Sequence, residues 1–312
     1  MTDMDMPVSL PESVRWGVQR RLEFIDFRLL WDGHFNRKDL IDAFNISAQQ
    51  ASADISQYQE LAPANLEYDN ARKVFVRRPT FKPCLIGHNT DRYLLQLMGI
   101  KSGFIKKEDT WFDTLPPAEI VTLKGKSTSS ALLLAILDAI RNKLELKINY
   151  NSMSGKADVV RHIVPHNLIN SAGRWYVRGW CKEHDNFNDF HLGRISQVLE
   201  TNPSIDKSIC DVAWNEMIDL IIIPNPELSS DKQKAISTEY DMQAGKLIVP
   251  TRISLTFYLM NEYNLDVEPG KIKPDKQQII LSNRQEVEKA RDDARLRATE
   301  ALKKFCVDKN GS

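Results

Sequence analysis

The middle of this 312-residue chain concentrates side chains that bind anions. From Arg141 to Arg194 there are nine lysines and arginines against five aspartates and glutamates, a net charge of +4, whereas the whole chain has a net charge of zero. Four of the six histidines also lie in this segment. Guanidinium groups make two-point contacts with phosphate or carboxylate, and tyrosine and tryptophan rings offer stacking surface to bases. The segment therefore predicts a site for an anionic, nucleotide-like ligand.

A structural interpretation of the same residues stays open. The aromatic residues could belong to the core of a small domain, with the arginines solvated. Trp175 and Tyr176 lie in a strand-like pattern, so their side chains should point to opposite faces, and at least one of them should be structural.

A second group of polar side chains lies on a predicted helix near the N-terminus. Ser47 is placed to cap this helix, which should run to about Leu61. Its outward face carries uncharged hydrogen-bonding residues: Gln49, Gln50, Ser52, Ser56 and Gln57. Amide and hydroxyl groups match base edges in the major groove, whereas a solvated face usually carries Lys and Glu. We therefore predict that Ser47, Gln49, Gln50, Ser52 and Gln57 contact DNA; the alternative is an ordinary polar helix in a bundle.

The elements around this helix follow the order of a winged helix-turn-helix. Apolar spacings of three and four predict helices over 11–31 and 36–44, before the helix that Ser47 caps. Asn36 is placed to cap the second helix. Two short strands, 66–68 and 73–77, follow it and would form the wing. Helix, helix, tight turn, helix and hairpin is the order of that DNA-binding motif.

The basic residues of this region are placed where phosphates could be held, although residues 1–80 have a net charge of −2. They are Arg15, Arg20, Arg21 and Arg28 in the first helix, Arg37 and Lys38 in the second, and Arg72, Lys73, Arg77 and Arg78 in the wing. Arg20, Arg37, Arg72 and Lys73 are our candidates for the DNA interface.

The rest of the chain changes its periodicity. After a proline-bounded connector, residues 131–140 predict an apolar helix. Five short strands are then predicted at close spacing: 144–150, 159–164, 167–170, 175–181 and 188–195. Such a series favours a small antiparallel barrel. The end of the chain predicts an amphipathic helix over 285–305, whose apolar stripe runs from Val287 to Phe305.

Several classes of protein are excluded by composition and motif. The longest apolar run, 131–137, has seven residues, whereas a membrane span needs about 20. No signal-peptide pattern opens the chain, and its four cysteines form no CxxC pair, so we expect a cytoplasmic protein with reduced thiols. It has no GxGxxG, GxSxG or HExxH motif. We therefore predict neither catalysis, nor a cofactor, nor a metal site.

Four blocks in the middle of the chain resemble the WYL domain family. They are Tyr150–Ser154 (YNSMS), Arg161–His166 (RHIVPH), Gly173–Cys181 (GRWYVRGWC) and Phe190–Ile195 (FHLGRI). The family is named for a Trp-Tyr-Leu run, and Val177 replaces the leucine here. The resemblance is most specific over 128–200 and implies an Sm-like β-barrel.

The whole chain is similar to WYL-domain transcriptional regulators with an N-terminal winged helix-turn-helix, in particular those of bacterial anti-phage systems of the BREX and CBASS type. The resemblance implies an α+β multidomain protein: 1–80 a winged helix-turn-helix, 81–127 a helical connector, 128–201 the WYL Sm-like barrel, and 202–312 a C-terminal α/β extension that dimerises. It also implies a ligand pocket formed by Tyr150, Ser152, Arg161, His166, Tyr176, Arg178 and Arg194.

We therefore expect a homodimeric, sequence-specific repressor of a phage-defence operon, without a membrane partner. It would bind double-stranded DNA at an inverted repeat and respond to an anionic nucleotide or oligonucleotide. The alternative is a sensor of RNA or single-stranded nucleic acid that uses the barrel as its binding surface.

Overall fold

The computed structural model describes residues 16–87, 90–121, 127–153 and 158–310. The chain divides into two compact units, 1–123 and 124–312. Each unit has hydrophobic clusters of its own. None of the described helices combines the length and the apolar character that crossing a membrane requires.

The N-terminal unit contains a winged helix. Its elements are α1 (Trp16–Trp31), β1 (His34–Phe35), α2 (Arg37–Phe44), α3 (Ala48–Leu61), β2 (Leu66–Asp69), β3 (Val74–Arg77) and α4 (Thr90–Lys101). The three strands form an antiparallel sheet in the order β1-β3-β2. The predicted three helices and hairpin are confirmed, while the two-residue strand β1 was not predicted. The start of the first predicted helix, 11–15, lies outside the described residues.

Local hydrogen bonds fix the start of α2 and the start of α3. The Asn36 side chain accepts from the Asp39 amide at 3.1 Å, while the Asp39 carboxylate accepts from the Asn36 amide at 2.8 Å, which is a capping box. Asn45 ends α2 in the left-handed region at φ 50°. Ser47 then caps α3 by accepting from the Gln50 amide at 3.1 Å. Both predicted caps are therefore confirmed.

The chain after the wing packs on α1. Leu97 of α4 and Phe112 are buried against Phe27 of α1. The rings of Phe27 and Trp111 meet edge to face, with 5.7 Å between their centroids. The described part of the expected connector, up to residue 121, thus contributes to the core of the N-terminal unit.

The C-terminal unit begins with a helix and a five-stranded sheet. These elements are α5 (Ser130–Asn142), β4 (Leu144–Tyr150), β5 (Val159–Ser171), β6 (Arg174–Cys181), β7 (Asn186–His191) and β8 (Ile195–Pro203). The strands are antiparallel in the order β7-β6-β5-β4-β8, which we call the WYL sheet. Its edge strands β7 and β8 are not paired with each other within the described part of the chain, so no closed barrel is formed there.

Three of the predicted strands differ in the structure. The segments 159–164 and 167–170 form one strand, β5, because a register shift between Pro165 and Asn167 accommodates the proline, which lacks an amide hydrogen. The strand predicted over 188–195 ends at His191, and the fifth strand is β8. Ile195 is the one buried residue of β8, and the other residues of the strand are half-buried or exposed. The alternation of buried and exposed positions that would predict a strand is therefore missing.

The end of the chain forms a second sheet with helices. Its elements are α6 (Val212–Asn215), β9 (Met217–Pro224), α7 (Ser230–Glu239), β10 (Leu247–Arg252), α8 (Thr256–Glu262), β11 (Ile279–Leu281) and α9 (Arg284–Asn310). The strands are antiparallel in the order β10-β9-β11. The predicted C-terminal helix is confirmed as α9. Its apolar residues Val287, Ala294, Ala298 and Leu302 are buried within this chain.

Candidate functional site

The start of α3 presents its predicted polar residues to solvent. Gln49 and Gln50 are exposed, and Ser52 and Gln57 are half-buried. One amide hydrogen of Gln50 is used, because its Nε2 donates to Asp54 Oδ1 at 2.9 Å. Gln49 is therefore the more accessible of the two adjacent amides.

Arg37, at the start of α2, is connected to α3 by a hydrogen bond. Its Nη1 donates to Ser52 Oγ at 3.2 Å, and that hydroxyl donates to the Ala48 carbonyl at 2.9 Å. Arg37 and Lys38 are both exposed. The first turns of α2 and α3 thus form one polar surface with cations at its side.

The arginines of α1 have partners inside the N-terminal unit. Arg20 pairs with Glu23 at 2.7 Å, and Arg21 pairs with Asp54 at 2.6 Å. Arg28 is 5% exposed and pairs with three carboxylates, those of Asp32, Asp39 and Asp113. Its expected contact with phosphate is wrong, since the guanidinium is buried and neutralised.

The wing carries two exposed cations at its tip. Arg72 and Lys73 lie in the turn between β2 and β3, where Lys73 has a left-handed φ of 56°. Asp69 Oδ1 fixes this turn by accepting from the amides of Ala71 at 2.9 Å and Arg72 at 3.0 Å.

The two remaining arginines of the wing are bonded within the unit. Arg77 donates to the Leu30 carbonyl at 2.7 Å, and Arg78 pairs with Glu67 at 3.1 Å. Arg72 and Lys73 are therefore the wing residues best placed to contact phosphate.

In the C-terminal unit, two of the predicted pocket residues belong to a buried network around Asp211. Asp211 is fully buried before α6, and its Oδ2 lies 3.0 Å from His166 Nε2 on β5 and 2.7 Å from Arg178 Nε on β6. Arg178 Nη2 donates to Asp211 Oδ1 at 3.0 Å, and Nη1 donates to Asp189 at 2.9 Å. His166 and Arg178 are 8% and 6% exposed.

These contacts set the charge of the carboxyl group. Burial alone would raise the pKa of Asp211, but hydrogen bonds from His166 and Arg178, with the charge of Arg178, lower that pKa below its usual 3.8. The pKa of Arg178 is raised, because its bonds to Asp211 and Asp189 outweigh the effect of burial. Arg178 is thus a cation held in place, three of whose five N–H groups are used.

Three other predicted pocket residues gather around His191. The Tyr176 ring packs edge to face on His191, with 5.1 Å between ring centroids, and the Tyr150 hydroxyl accepts from the His191 amide at 3.3 Å. Burial lowers the pKa of His191, and the charges of Arg194 and Arg174 lower it further. His191 Nδ1 is buried without a hydrogen-bond partner among the described residues.

The two clusters are joined through Tyr258 of α8. Its hydroxyl donates to Asp189 at 3.0 Å, and its ring lies 5.0 Å from that of Tyr176. Sequence reasoning missed His191, although it lies in a block quoted for the WYL resemblance. It also missed Asp189, Asp211 and Tyr258, for which the sequence around each residue gives no signal.

The remaining predicted pocket residues lie apart from these contacts. Arg161 Nη1 donates to the Val160 carbonyl at 3.0 Å, and no contact within the described part of the chain joins Arg161 to either cluster. Ser152 follows β4 on a loop, and Ser154 lies outside the described residues. No group of three or more His, Cys, Asp or Glu residues suited to a metal ion is found where the structure describes the chain.

Three domain families match this chain, in the order that the sequence predicts. The BrxR transcriptional regulator winged helix-turn-helix domain matches residues 17–99. The WYL domain matches residues 131–199, and the C-terminal dimerization domain of the BrxR transcriptional regulator matches residues 217–287. The resemblance to WYL-domain regulators is confirmed.

Full-length relatives carry the name DNA-binding transcriptional repressor CapW. The protein of Pseudomonas aeruginosa is 34% identical over 284 residues, which cover 91% of this chain and 95% of the relative. That of Escherichia coli strain KTE188 is 34% identical over 276 residues, covering 88% and 92%, and that of Stenotrophomonas maltophilia is 32% identical over 285 residues, covering 90% and 95%. These relatives are named as repressors and not as enzymes, in line with the prediction made for this chain. With this identity along nine tenths of its length, the chain belongs to the family of the CapW repressors.

Proposed function

We propose that this protein is a sequence-specific, DNA-binding transcriptional repressor that reads its operator with α3. The observation that carries the proposal is the exposed Gln49 and Gln50 pair behind the Ser47 cap, at the start of the third helix of a winged helix-turn-helix. The N-terminal residues of such a helix contact base edges in the major groove. The name of the CapW relatives supports the same function.

The proposed phosphate contacts are Arg37 beside α3 and Arg72 and Lys73 at the wing tip. All three are exposed, and Lys38 is exposed next to Arg37. Arg20 remains a weaker candidate because Glu23 and the Trp111 ring, 4.5 Å from its guanidinium, already hold it. A near-neutral domain can bind DNA in this way if its cations lie on the face that meets the duplex.

We propose a homodimer that binds an inverted repeat, one α3 per half-site. The match of residues 217–287 to a dimerization domain supports this assembly. Because the apolar stripe of α9 is buried within its own chain, the dimer contact would use other surfaces of the 202–312 region. The proposed target is a phage-defence operon, as for regulators of the BREX and CBASS type.

The proposed control is an anionic nucleotide or oligonucleotide bound at the WYL sheet. The unpartnered His191 Nδ1 beside Tyr176, with Arg194 close enough to lower the histidine's pKa, supports such a site. His166 and Arg178, which are held by hydrogen bonds to Asp211, would line one side of this site. Tyr150, Ser152 and Arg161 are the other proposed ligand-binding residues. The five antiparallel strands are also compatible with the proposed Sm-like barrel, which would require β7 and β8 to pair.

The test of base reading is a double substitution on α3. Operator duplexes are selected from a random pool with the wild-type protein, and binding is measured by fluorescence anisotropy. Gln49→Ala with Gln50→Ala should weaken operator binding by about 1–3 kcal/mol for each base that is no longer read, while binding to a scrambled duplex stays nearly unchanged. Gln59→Ala, at the exposed C-terminal end of the same helix, is the matched control and should bind like wild type.

Two results would contradict the proposal. Wild-type operator affinity in the Gln49 and Gln50 double variant would show that α3 is not the reader. Preference for single-stranded RNA or DNA of the same sequence over the duplex would favour the alternative, a single-strand sensor.

The phosphate contacts of the wing are tested by salt dependence. Arg72→Ala with Lys73→Ala should weaken all duplexes alike and reduce the slope of log affinity against log salt by about one for each phosphate that is no longer bound. Lys106→Ala with Lys107→Ala removes the same charge from another exposed part of the unit and should leave the slope unchanged. Equal slopes in the two double variants would place the phosphate contacts elsewhere.

A further inference from the structure

A cavity of about 330 Å³ that is open to solvent on one side lies in the C-terminal unit, between the β6–β7 side of the WYL sheet and α9. It is lined by Arg178 of the sheet, by Asp211 before α6, and by Arg291 and Arg295 of α9. Of the pocket residues predicted from the sequence, Arg178 alone lines it. We call this space the arginine cavity. Its volume is at the lower end of the ~300–1,000 Å³ of small-molecule sites.

The two α9 arginines bring uncompensated charge to the cavity. Arg291 and Arg295 are four residues apart and so lie one turn apart on the same side of the helix. The ion pairs of the described residues include neither of them. The guanidinium of Arg291 lies 5.8 Å from the centroid of the Phe257 ring, which is a neutral neighbour.

Asp211 does not neutralise these arginines, because both of its oxygens are already occupied. Oδ1 accepts from Arg178 Nη2 at 3.0 Å and from the Trp214 amide at 3.2 Å. Oδ2 accepts from Arg178 Nε at 2.7 Å and is hydrogen-bonded to His166 at 3.0 Å. On the cavity wall Asp211 is paired with Arg178, which also binds Asp189 outside the lining, and the other charged residues of the lining are Arg291 and Arg295.

The rest of the wall leaves room for a ligand and offers neutral donors. Ala294 and Ala298 line the cavity beside the two arginines, and their small side chains leave space that longer ones would fill. Asn186 and Asn188 of β7 line the opposite side. The Asn186 Oδ1 accepts from the Phe187 amide at 2.8 Å, so its side-chain nitrogen can donate to a ligand.

We propose that the arginine cavity binds a small phosphate monoester of the size of a mononucleotide. Two uncompensated guanidinium groups match the double negative charge of a phosphate monoester, and guanidinium forks bind phosphate oxygens in pairs. Arg178 adds the two N–H groups that its carboxylate partners leave unused. The volume of about 330 Å³ suits a ligand of the size of a mononucleotide.

This inference rests on the proposed ligand control, and it names a ligand class and a site that shares Arg178 with the residues proposed above. A ligand in the cavity would bridge the WYL sheet to α9, whose first residues end the segment that matches the dimerization domain. It would stabilise one arrangement of sheet and helix, and so could change operator affinity only as far as that arrangement differs between free and DNA-bound dimers.

The experiment is calorimetric titration of the full chain with AMP, adenosine, inorganic phosphate and succinate at constant ionic strength. Wild type should bind AMP at one site per chain, and should bind adenosine and succinate much more weakly. Arg291→Gln with Arg295→Gln should lower AMP affinity by about tenfold or more. Lys289→Gln with Lys303→Gln removes the same charge from exposed α9 positions outside the cavity and should retain wild-type affinity.

Each other result overturns the proposal. If wild type does not bind AMP, or if the two double variants bind AMP with equal affinity, the arginine cavity is not the binding site. AMP binding no tighter than inorganic phosphate or succinate would remove the assignment to a phosphate monoester. If the double variant loses its thermal transition, the single change Arg295→Gln, at an exposed position, gives the same comparison.

The failure of this inference is distinguishable from failure of the proposed function. Operator binding without ligand, measured on the same preparations, should be unchanged in the Arg291 and Arg295 double variant. Loss of AMP binding with intact operator binding supports the cavity, whereas a wild-type protein that selects no duplex refutes the repressor function whatever AMP does.

Discussion

Each unit of this protein contains a carboxylate that is fully removed from solvent, and the two are stabilised in different ways. Asp26 of the N-terminal unit and Asp211 of the C-terminal unit both have 0% exposure. Asp211 is bonded to the cation Arg178 and to His166, whereas the hydrogen bonds of Asp26 come from neutral groups. The pKa of Asp26 is raised and that of Asp211 is lowered. Equal burial thus has opposite electrostatic consequences, decided by whether a cation is present.

The neutral network holds three segments of the N-terminal unit together. Asp26 of α1 accepts at Oδ2 from the amides of Cys84, Leu85 and Ile86 at 3.0, 2.8 and 3.0 Å. Its Oδ1 accepts from the hydroxyl of Tyr58 on α3. Burial raises the pKa of Asp26, and these hydrogen bonds offset only part of that effect. Helix α3 is therefore connected, through one carboxyl group, to the chain that leaves the wing.

The charged network is expected to be the more sensitive of the two to substitution. In Asp211→Asn the amide nitrogen cannot accept from Arg178, so a buried guanidinium loses its bidentate partner. Removing one member of a buried pair costs about 3–5 kcal/mol. The thermal transition of the C-terminal unit should fall accordingly, with faster hydrogen exchange in β6.

Asp138→Asn is the matched control for that substitution. Asp138 pairs with Arg141 on the surface of α5, where both side chains are more than half exposed. Exposed pairs contribute about 0–1 kcal/mol, so the control should be close to wild type. If Asp211→Asn is as mild as Asp138→Asn, the charge of Arg178 is not compensated by Asp211, and the comparison fails.

A smaller effect is expected for Asp26→Asn, because the site already favours a neutral side chain. The asparagine Oδ1 can accept from the amides of residues 84–86, and its Nδ2 can donate to the Tyr58 hydroxyl, which also accepts from Asn65 at 3.1 Å. The hydrogen bond that Tyr58 donates is the one that the variant cannot make. The expected cost is about 1 kcal/mol, measured as the shift in the thermal transition of the N-terminal unit.

Asp26→Ala shows whether the site needs hydrogen-bond acceptors at all. It leaves the three amides and the tyrosine hydroxyl without an acceptor and should cost clearly more than Asp26→Asn. Similar costs for the two variants would show that the network contributes little, and the contrast with Asp211 would then lie in packing.

How far the sequence predicts these features depends on the range of the interactions. The caps Asn36 and Ser47 were predictable, because each bonds to an amide three residues away. Strand β8 and helix α7 were missed, since they take their place from packing against distant segments. A splitting of β5 at Pro165 was predicted because a proline usually ends a strand, and only the register of the neighbouring strands shows the bulge.

For the candidate site, too, local features were predictable from the sequence and long-range contacts were not. The residue types around the proposed ligand site were predicted from local blocks, but their partners were not. Asp211 lies 33 residues after Arg178 and 45 residues after His166, and no pattern in the sequence connects them. Arg291 and Arg295 belong to a helix whose sequence is typical of a charged amphipathic element. Their role as cavity walls depends on how α9 packs against the WYL sheet.

The smallest expected effect, and the sharpest comparison, is the pH dependence of the two asparagine substitutions. The pKa of Asp211 is lowered below 3.8 by folding, so its contribution to stability is present above that value and is lost as the pH falls towards the lowered pKa. The pKa of Asp26 is raised, so its contribution is present below 3.8 and is lost as the pH rises through the raised pKa.

The costs of the two substitutions should therefore change with pH in opposite directions. Between about pH 6 and about pH 3, the destabilisation by Asp211→Asn should shrink, because the wild-type protein loses its carboxylate while the variant has none to lose. Over the same interval the destabilisation by Asp26→Asn should grow, because protonation relieves the wild-type protein of a buried charge. Hydrogen exchange followed by mass spectrometry measures each unit separately, through peptides that contain residues 84–86 and 174–181. Costs that change in the same direction for both variants would show that Asp26 is ionised and stabilised as Asp211 is, and that neutral donors can replace a cation at full burial.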